Sequence, residues 1–300
     1  CLHIFYMDVS VIIVNYKTCE LTLQCLRSLF KYTHGVKMEV IVVDNASQDD
    51  TPYSIRREFP QVRVVESQEN LGFGKANNLG NTYAIGKYLF LLNSDTIVIH
   101  NIVRQFFEFM ETHPEYVSCG GNLLDRDGVN CNVGGDFPSV MQEFLSIGFH
   151  RLVPRWFKNR YTLSKSVADS GMDDICYVIG ADMFIYKEIF DRFQGFDPAI
   201  FMYYEETDLY YRMHLEGLRS CILPYAPLIH LEGGSFGSHS RFFNLRKTEM
   251  LLCSKCYFFR KHYSHKAVMA MKCCVAIGAI IRPHRYKCNL LGFLKKVIKE

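Results

Sequence analysis

Three apolar runs of this chain each end in small polar or acidic residues. Asn15–Tyr16 closes VSVIIVNY, Asp44–Asn45 closes VIVVDN, and Asn93–Ser94–Asp95 closes YLFLLNSD. A carboxylate that follows a buried strand, as Asp44 does, is placed to accept a hydrogen bond from a pyrimidine N–H. The alternative is a cap for the helix that follows, a role open to Ser47 and Asp49 as well. Asn93, Ser94 and Asp95 supply further hydrogen-bonding groups, or simply turn the chain. Asn70-Leu71-Gly72-Phe73-Gly74 opens a helix, where glycine lets backbone approach a ligand closely and the helix N-terminus favours anions. Lys75 and Asn78 are then candidates for phosphate or ribose contacts, or solvent-facing helix positions. The pattern is GxGxxN rather than GxGxxG, which disfavours a dinucleotide cofactor. In Tyr203-Tyr204-Glu205-Glu206-Thr207-Asp208 three carboxylates crowd the start of an expected helix. Carboxylates there stabilise the helix dipole and can also act as a general base; the two roles are compatible.

These groups need a scaffold that brings distant segments to one edge. The near-continuous β-branched runs Val9–Tyr16, Met38–Ser47 and Tyr88–Thr96 predict strands buried on both faces, with Val62–Glu66 and Val117–Gly121 as shorter ones. Helical spacing predicts helices over Cys19–Tyr32, with Thr18 as N-cap, and over Asp49–Phe59, Gly74–Ile85 and Ile102–His113. Alternation of this kind implies an α/β fold with a mostly parallel sheet and helices on both faces. In such sheets the ligand crevice lies beyond the carboxyl ends of the strands, where all three polar termini fall. Asn122–Asp174 is expected to hold short strands and a mobile loop over the site. Buried structure is expected over Ile175–Tyr186, a helix over Tyr204–Gly217 and a short strand over Arg219–Leu223.

Three hundred residues suit one large α/β domain with an extension, or two modest domains. The net charge of +3 does not suit a nucleic-acid-binding polycation. It conceals an asymmetry, because residues 240–300 hold fourteen Lys/Arg against only Glu249 and Glu300. The expected division is therefore a catalytic domain over 8–239 and a basic helical tail over 240–300, facing something anionic. The twelve cysteines are scattered through apolar stretches, as expected of reduced thiols in a cytosolic protein. Cys253 and Cys256 have CxxC spacing without a second pair to complete a zinc site. No secretory leader is expected in CLHIFYMD, which lacks a basic segment and an adequate apolar run. Ala267–Ile281 is interrupted by Lys272 and falls short of the ~20 residues that span a bilayer.

With these segments located, the chain resembles inverting family-two glycosyltransferases of the GT-A (Rossmann-like) fold, in their rhamnosyltransferase-like branch from bacterial polysaccharide synthesis. The blocks that carry the resemblance are VSVIIVNYKT, VIVVDNASQDDT, ENLGFGKANNLG, YLFLLNSDT, IGADMFIYKEIF, GFDPAIFMYYEETDLYYRM, HLEGGS and YFFRKHY, in the family's order over residues 9–263. It implies a metal-dependent transferase that moves a sugar, rhamnose first among candidates, from a nucleoside diphosphate donor to a glycan or polyprenyl-linked acceptor. Asn15, Tyr16, Asp44, Asn70, Gly72, Lys75, Asn78, Asn93 and Ser94 would then bind the nucleotide sugar. Asp95 matches the second acid of the family's Asp-x-Asp and would hold Mg2+ or Mn2+ with His230, although Asn93 replaces the first acid. Glu206 falls where the family places its base, with Glu for the usual Asp; Glu205 and Asp208 flank it. Asp182 falls where the acceptor enters in relatives.

The tail ends in NLLGFLKKVIKE, amphipathic with Leu290, Leu291, Leu294, Val297 and Ile298 opposite Lys295, Lys296 and Lys299. Such a segment can lie in an anionic interface, so residues 267–300 are expected to touch the inner face of the cell membrane or to pack on the domain. Leu245–His262 is expected to pack on the domain. Two rival functions stay open here: a nucleotidyltransferase, although NYKTCEL lacks the basic Gly-rich loop it would use, and a membrane-associated scaffold with an inactive site.

Overall fold

A computed structural model of the chain describes residues 7–131, 133–148, 173–231, 245–282 and 290–300. The first half alternates β1 (Met7–Asn15), α1 (Cys19–Tyr32), β2 (Met38–Asp44), α2 (Thr51–Glu58), β3 (Arg63–Glu66), α3 (Gly72–Asn81), β4 (Gly86–Asn93), β5 (Thr96–Ile97), α4 (Ile102–Thr112) and β6 (Tyr116–Leu124). Then come β7 (Gly134–Gly135), α5 (Val140–Ser146), β8 (Asp173–Ile175), β9 (Tyr177–Val178), β10 (Asp182–Tyr186), α6 (Lys187–Arg192), α7 (Glu205–Leu215) and β11 (Arg219–His230). The tail supplies α8 (Leu245–His262), α9 (His265–Ile281) and α10 (Leu290–Lys299).

The main sheet runs β3-β2-β1-β4-β10-β6-β11-β5, with β8 on the same edge of β11 as β5. β3, β2, β1 and β4 are mutually parallel, as are β6 and β11. β10 enters antiparallel between β4 and β6. The centre is wholly buried: Val11, Ile12 and Ile13 of β1, Ile41, Val42 and Val43 of β2 and Phe90 and Leu91 of β4 expose nothing. Strands covered on both faces need apolar residues at consecutive positions, which is why these runs do not alternate. Tyr88, Phe90, Phe106 and Phe184 form a ring cluster in the middle of this core, Tyr88 stacking on Phe184 and Phe106 meeting Phe90 edge-on.

The elements depart from sequence expectation for local reasons. Thr18 precedes α1 without capping it, because its hydroxyl donates to Asn15 Oδ1 at 2.9 Å. α3 starts two residues early, at Gly72, whose amide is met by Asn70 Oδ1 at 3.0 Å. It also stops at Asn81, where i→i+3 bonds from Thr82, Tyr83 and Ala84 tighten its end. The stretch 175–186, expected to be buried, comprises the end of β8, then β9 and β10. The last strand runs past Leu223 to His230, absorbing Pro224 and Pro227 through a register shift against β6. Of the irregular stretch expected over Asn122–Asp174, the described residues hold the end of β6, β7, α5 and the start of β8, and residues 149–172 lie outside the described residues, as do the Glu232–Ser235 part of HLEGGS and Phe242 and Phe243.

The tail helices and α5 share a second core around Leu252, Cys256, Phe258, Phe259, Met271, Phe293 and Val297. A cavity of about 250 Å³ lies there, lined by Glu143, Leu252, Lys255, Cys274 and Arg282 among others, away from the polar strand ends. Lys255 and Glu143 pair at 2.6 Å on its wall. The described cysteines are free thiols, and burial pushes that of Cys25 up to about 12.

Candidate active site

Register brings the polar strand ends to one rim. Asn15 is opposite Asp44 in the β1–β2 ladder, and Val14 is opposite Asn93 in the β1–β4 ladder. Asn15 Nδ2 donates to Asp44 Oδ1 at 2.7 Å and to Ser47 Oγ at 2.9 Å. Its Oδ1 accepts from Thr18 Oγ1 at 2.9 Å and Thr22 Oγ1 at 2.8 Å, so the whole amide is engaged. Thr18 Oγ1 also lies 3.1 Å from Ser94 Oγ, which links the first and third strand ends. Ser47 N–H donates to Asp44 Oδ2 at 3.2 Å. Asn45 reaches the glycine loop, donating to Asn70 Oδ1 (3.1 Å) and the Gly72 carbonyl (3.2 Å), and accepting from Leu71 N–H (2.8 Å). Four segments distant in sequence are thus tied by buried polar bonds, each of the kind that fixes geometry rather than adding much stability.

A second junction lies where β5 meets β11. His230 pairs with Thr96, and its Nε2 comes within 3.3 Å of Asp95 Oδ1 and 3.4 Å of Asn93 Nδ2. Asp95 and His230 are each slightly exposed at this rim. A carboxylate oxygen and an imidazole nitrogen side by side are a donor set that suits Mn2+, and the carboxylate alone suits Mg2+. Among the described residues no third His, Cys, Asp or Glu joins them, so the pair fits a divalent ion completed by phosphate oxygens and water.

The acidic block sits at the N-terminus of α7, against α3. Gly72 takes φ +79°, and a Cβ there would stand 2.0 Å from the Phe201 carbonyl oxygen; one at Gly74 would meet Phe196 and Glu205 side chains at 3.0 and 3.4 Å. The glycines therefore let the loop before α7 close onto the segment that opens α3. Tyr203 and Tyr204 carry φ of +67° and +71°, uncommon for aromatic residues and a form of strain that concentrates at functional sites. Burial pushes the Glu206 carboxyl up to about 7 against help from the Glu206 and Thr207 amides. Burial first and the neighbouring Glu206 second hold Glu205 well above the usual carboxylate range. Glu205 Oε2 and Glu206 Oε2 have no hydrogen-bond partner among the described residues. Glu206 is thus a carboxyl poised to exchange a proton near neutrality, as a general base requires.

The remaining candidates are placed differently. Tyr16 and Lys75 are half-buried, at the end of β1 and in the first turn of α3. Asn78 spends its amide on backbone, donating to the Phe196 carbonyl at 2.7 Å and accepting from Phe196 N–H at 3.0 Å. Asp182 is fully buried on β10, where burial raises its carboxyl to about 7 against a Gly121 N–H bond of 2.6 Å. Asp208 is fully buried and faces three basic side chains: Arg212 Nε (2.9 Å), Lys261 Nζ (2.8 Å) and His262 Nε2 (2.7 Å). Burial opposes its ionisation, but the His262 and Lys261 hydrogen bonds and the Arg212 charge win and lower its pKa. Thr18, Thr22, Asn45 and Ser47 were not among the expected site residues. The signal for Ser47 and Asn45 was adjacency to Asp44, whereas Thr22 showed only as a helix-face residue.

The chain matches the family model for glycosyl transferase family 2 over residues 10–190. It is 24% identical over 215 residues to the low-salt glycan biosynthesis hexosyltransferase of Haloferax volcanii, spanning 70% of this chain and 63%, under two thirds, of that one. It is also 24% identical over 214 residues to the N-acetylglucosaminyl-diphospho-decaprenol L-rhamnosyltransferase of Mycobacterium tuberculosis, at 67% and 68% coverage. Among solved structures, a mannosyltransferase from Pyrobaculum calidifontis in complex with GDP-Man and Mn2+ superposes with TM-score 0.59 at 15% identity, covering 99% of this chain and 81% of that one. The fold is that of GT-A glycosyltransferases, and the chain belongs to glycosyl transferase family 2.

Proposed function

We propose that the protein transfers a sugar, with inversion, from a nucleoside diphosphate sugar to a glycan or polyprenyl-linked acceptor in cell-surface polysaccharide synthesis. The observation that carries this is the placement of a half-buried, near-neutral carboxyl, Glu206, in the first turn of α7, where Phe201 and Glu205 close onto the glycine segment that joins the strand rim. Asp44 Oδ atoms, steadied by Asn15 and Ser47, would accept the N3–H that uracil and thymine share. Gly72 and Lys75 at the start of α3 would meet the diphosphate, since amides and an ammonium favour anions. Glu206 would take the acceptor hydroxyl proton as that oxygen attacks the anomeric carbon, the glycosidic bond to the diphosphate breaking in the same displacement. Asp95 and His230 would hold Mg2+ or Mn2+, and that ion would supply positive charge to offset the charge on a diphosphate leaving group. Asp182, buried beside β4, would contribute indirectly to the acceptor side. The mycobacterial relative's name makes deoxythymidine diphosphate rhamnose the first donor to try, with uridine diphosphate hexoses next.

Peripheral contact with a membrane through 267–300 belongs to the same proposal. α9 exposes Met269, Ile277, Ile280 and Ile281, and α10 exposes Leu291 and Ile298, beside exposed Lys266, Lys295 and Lys299. Among the described residues no helix is long and apolar enough to cross a bilayer. Co-sedimentation with vesicles rich in anionic lipid checks the contact; protein left in the supernatant contradicts it.

The transfer itself is tested by measuring nucleoside diphosphate release from a panel of activated sugars, with and without Mn2+ and a polyprenyl diphosphate-linked acceptor. Release that needs both acceptor and metal is expected. Release of pyrophosphate instead, or none from any donor, overturns the proposal.

A further inference from the structure

Glu205 and Glu206 ride on an arch of chain from Asp197 to Asp208, and the tail helix α8 grips that arch along its length. Lys261 Nζ lies 2.6 Å from Asp197 Oδ2 and 2.8 Å from Asp208 Oδ1, so one ammonium closes both feet. Tyr257 Oη donates to Asp197 Oδ2 at 2.9 Å, and His262 Nε2 donates to Asp208 Oδ1 at 2.7 Å. Ser254 Oγ donates to the Met202 carbonyl at 2.8 Å near the crown, and the Phe258 ring lies against Tyr204 at 5.6 Å. Residues 254, 257, 258, 261 and 262 follow the three-and-four spacing of a single helix face. Arg212 completes the inner foot, joining Asp208 Oδ2 to the Phe193 and Gly195 carbonyls.

Glu206 Oε2 has no hydrogen-bond partner among the described residues, and the hydrogen bonds that favour its ionised form come from backbone, the Glu206 and Thr207 amides. The backbone of the arch therefore decides where this carboxyl stands. That backbone is held through two aromatic residues at positive φ, a conformation that persists only where surrounding contacts over-determine it. We propose that α8 is the template that sets the position of the catalytic carboxyl, with Lys261 and His262 as positioning residues. This rests on Glu206 being the base, and it makes part of the basic tail a requirement for turnover rather than an appendage. The step concerned is placement: a catalytic group displaced by about 1 Å can lose 100-fold in rate while ligand binding elsewhere persists.

The full-length protein is compared with Lys261→Met, Lys261→Arg, His262→Phe and His262→Gln. Three quantities are read: single-turnover transfer from deoxythymidine diphosphate rhamnose, deoxythymidine diphosphate affinity by calorimetry, and amide hydrogen exchange over 198–209 against β1 and β4. Lys261→Met and His262→Phe are expected to slow transfer by about 30-fold or more, the scale of a misplaced group, with affinity within about twofold. Exchange should rise in the arch alone. Lys261→Arg and His262→Gln, which keep a donor, should recover most of the rate. Should the Met variant not fold, Tyr257→Phe removes one arch bond and should slow transfer by about three- to tenfold, as one lost hydrogen bond allows. Transfer at wild-type rate despite a loosened arch, or affinity falling in step with rate, overturns the template. A wild-type chain that binds the nucleotide but transfers from no donor counts instead against the transferase assignment.

Discussion

Asn15 and Asp44 meet at the last pairing of β1 and β2, with Asn15 Nδ2 donating to Asp44 Oδ1 at 2.7 Å. The bond is buried, and Thr18 and Thr22 lock the other end of the same amide. Asp44 is therefore held in one orientation at the end of a rigid strand, the condition under which a carboxylate can discriminate one base edge from another.

Asp44→Ala should weaken binding of uridine or deoxythymidine diphosphate by about 10- to 100-fold, the worth of a hydrogen bond to a charged group. Calorimetry without metal measures it. Unchanged affinity would leave Asp44 as a structural partner of Asn15 and Ser47 only.

Asp95 and His230 stand 3.3 Å apart at the β5–β11 junction. Removal of either, as Asp95→Ala or His230→Ala, should abolish the gain in nucleotide affinity that Mn2+ confers while leaving metal-free affinity within about twofold. Titrating Mn2+ against a fixed concentration of deoxythymidine diphosphate reads this out. A gain that survives in both variants places the metal elsewhere.

The raised carboxyl of Glu206 has consequences for both rate and stability. As a base it must be ionised, so transfer at saturating donor should rise with pH through about 7. For stability, folded and unfolded states are both protonated below the ordinary value of 4.5. Between there and about 7 the unfolded state gives up the proton and the folded state keeps it, so burial of this group increasingly disfavours folding as pH rises. Glu206→Gln has no proton to lose and escapes this penalty. Its melting temperature relative to the wild type should climb from pH 5 to about pH 7 and then level off, as differential scanning at several pH values would show.

Gly72 tests the contact between the glycine loop and the arch. A methyl group there meets the Phe201 carbonyl at 2.0 Å with φ at +79°. Gly72→Ala should cost about 2–4 kcal/mol from combined overpacking and backbone strain. Urea denaturation measures the cost, and a loss below about 0.5 kcal/mol, the scatter of surface substitutions, would contradict the close approach.

The parallel part of the fold was legible because it rests on local pattern. Val11–Val14 and Val40–Val43 are consecutive apolar residues, and consecutive burial has few other causes. Position at the rim followed from the same runs, since Asn15, Asp44 and Asn93 are simply where they stop. What stayed hidden depends on partners far along the chain. β10 inserts antiparallel between β4 and β6, and nothing in DMFIY states its direction. Asn78 looked like a ligand contact but serves Phe196, 118 residues away. Lys261 and His262 looked like part of a basic run, yet they face Asp208, more than 50 residues earlier in the chain. Thr18 stood where a cap belongs, and the pull of Asn15 Oδ1 decided otherwise.

The role of Glu206 is the centre of the account, and Glu206→Gln tests it most directly, since it keeps shape and removes the base. Transfer and nucleotide-sugar affinity are measured together on this variant, the first by single-turnover product formation and the second by calorimetry. The account predicts transfer reduced by at least about 1,000-fold, within the range of removing a general base, with affinity near that of the wild type. Transfer at close to the wild-type rate would show that another group takes the proton.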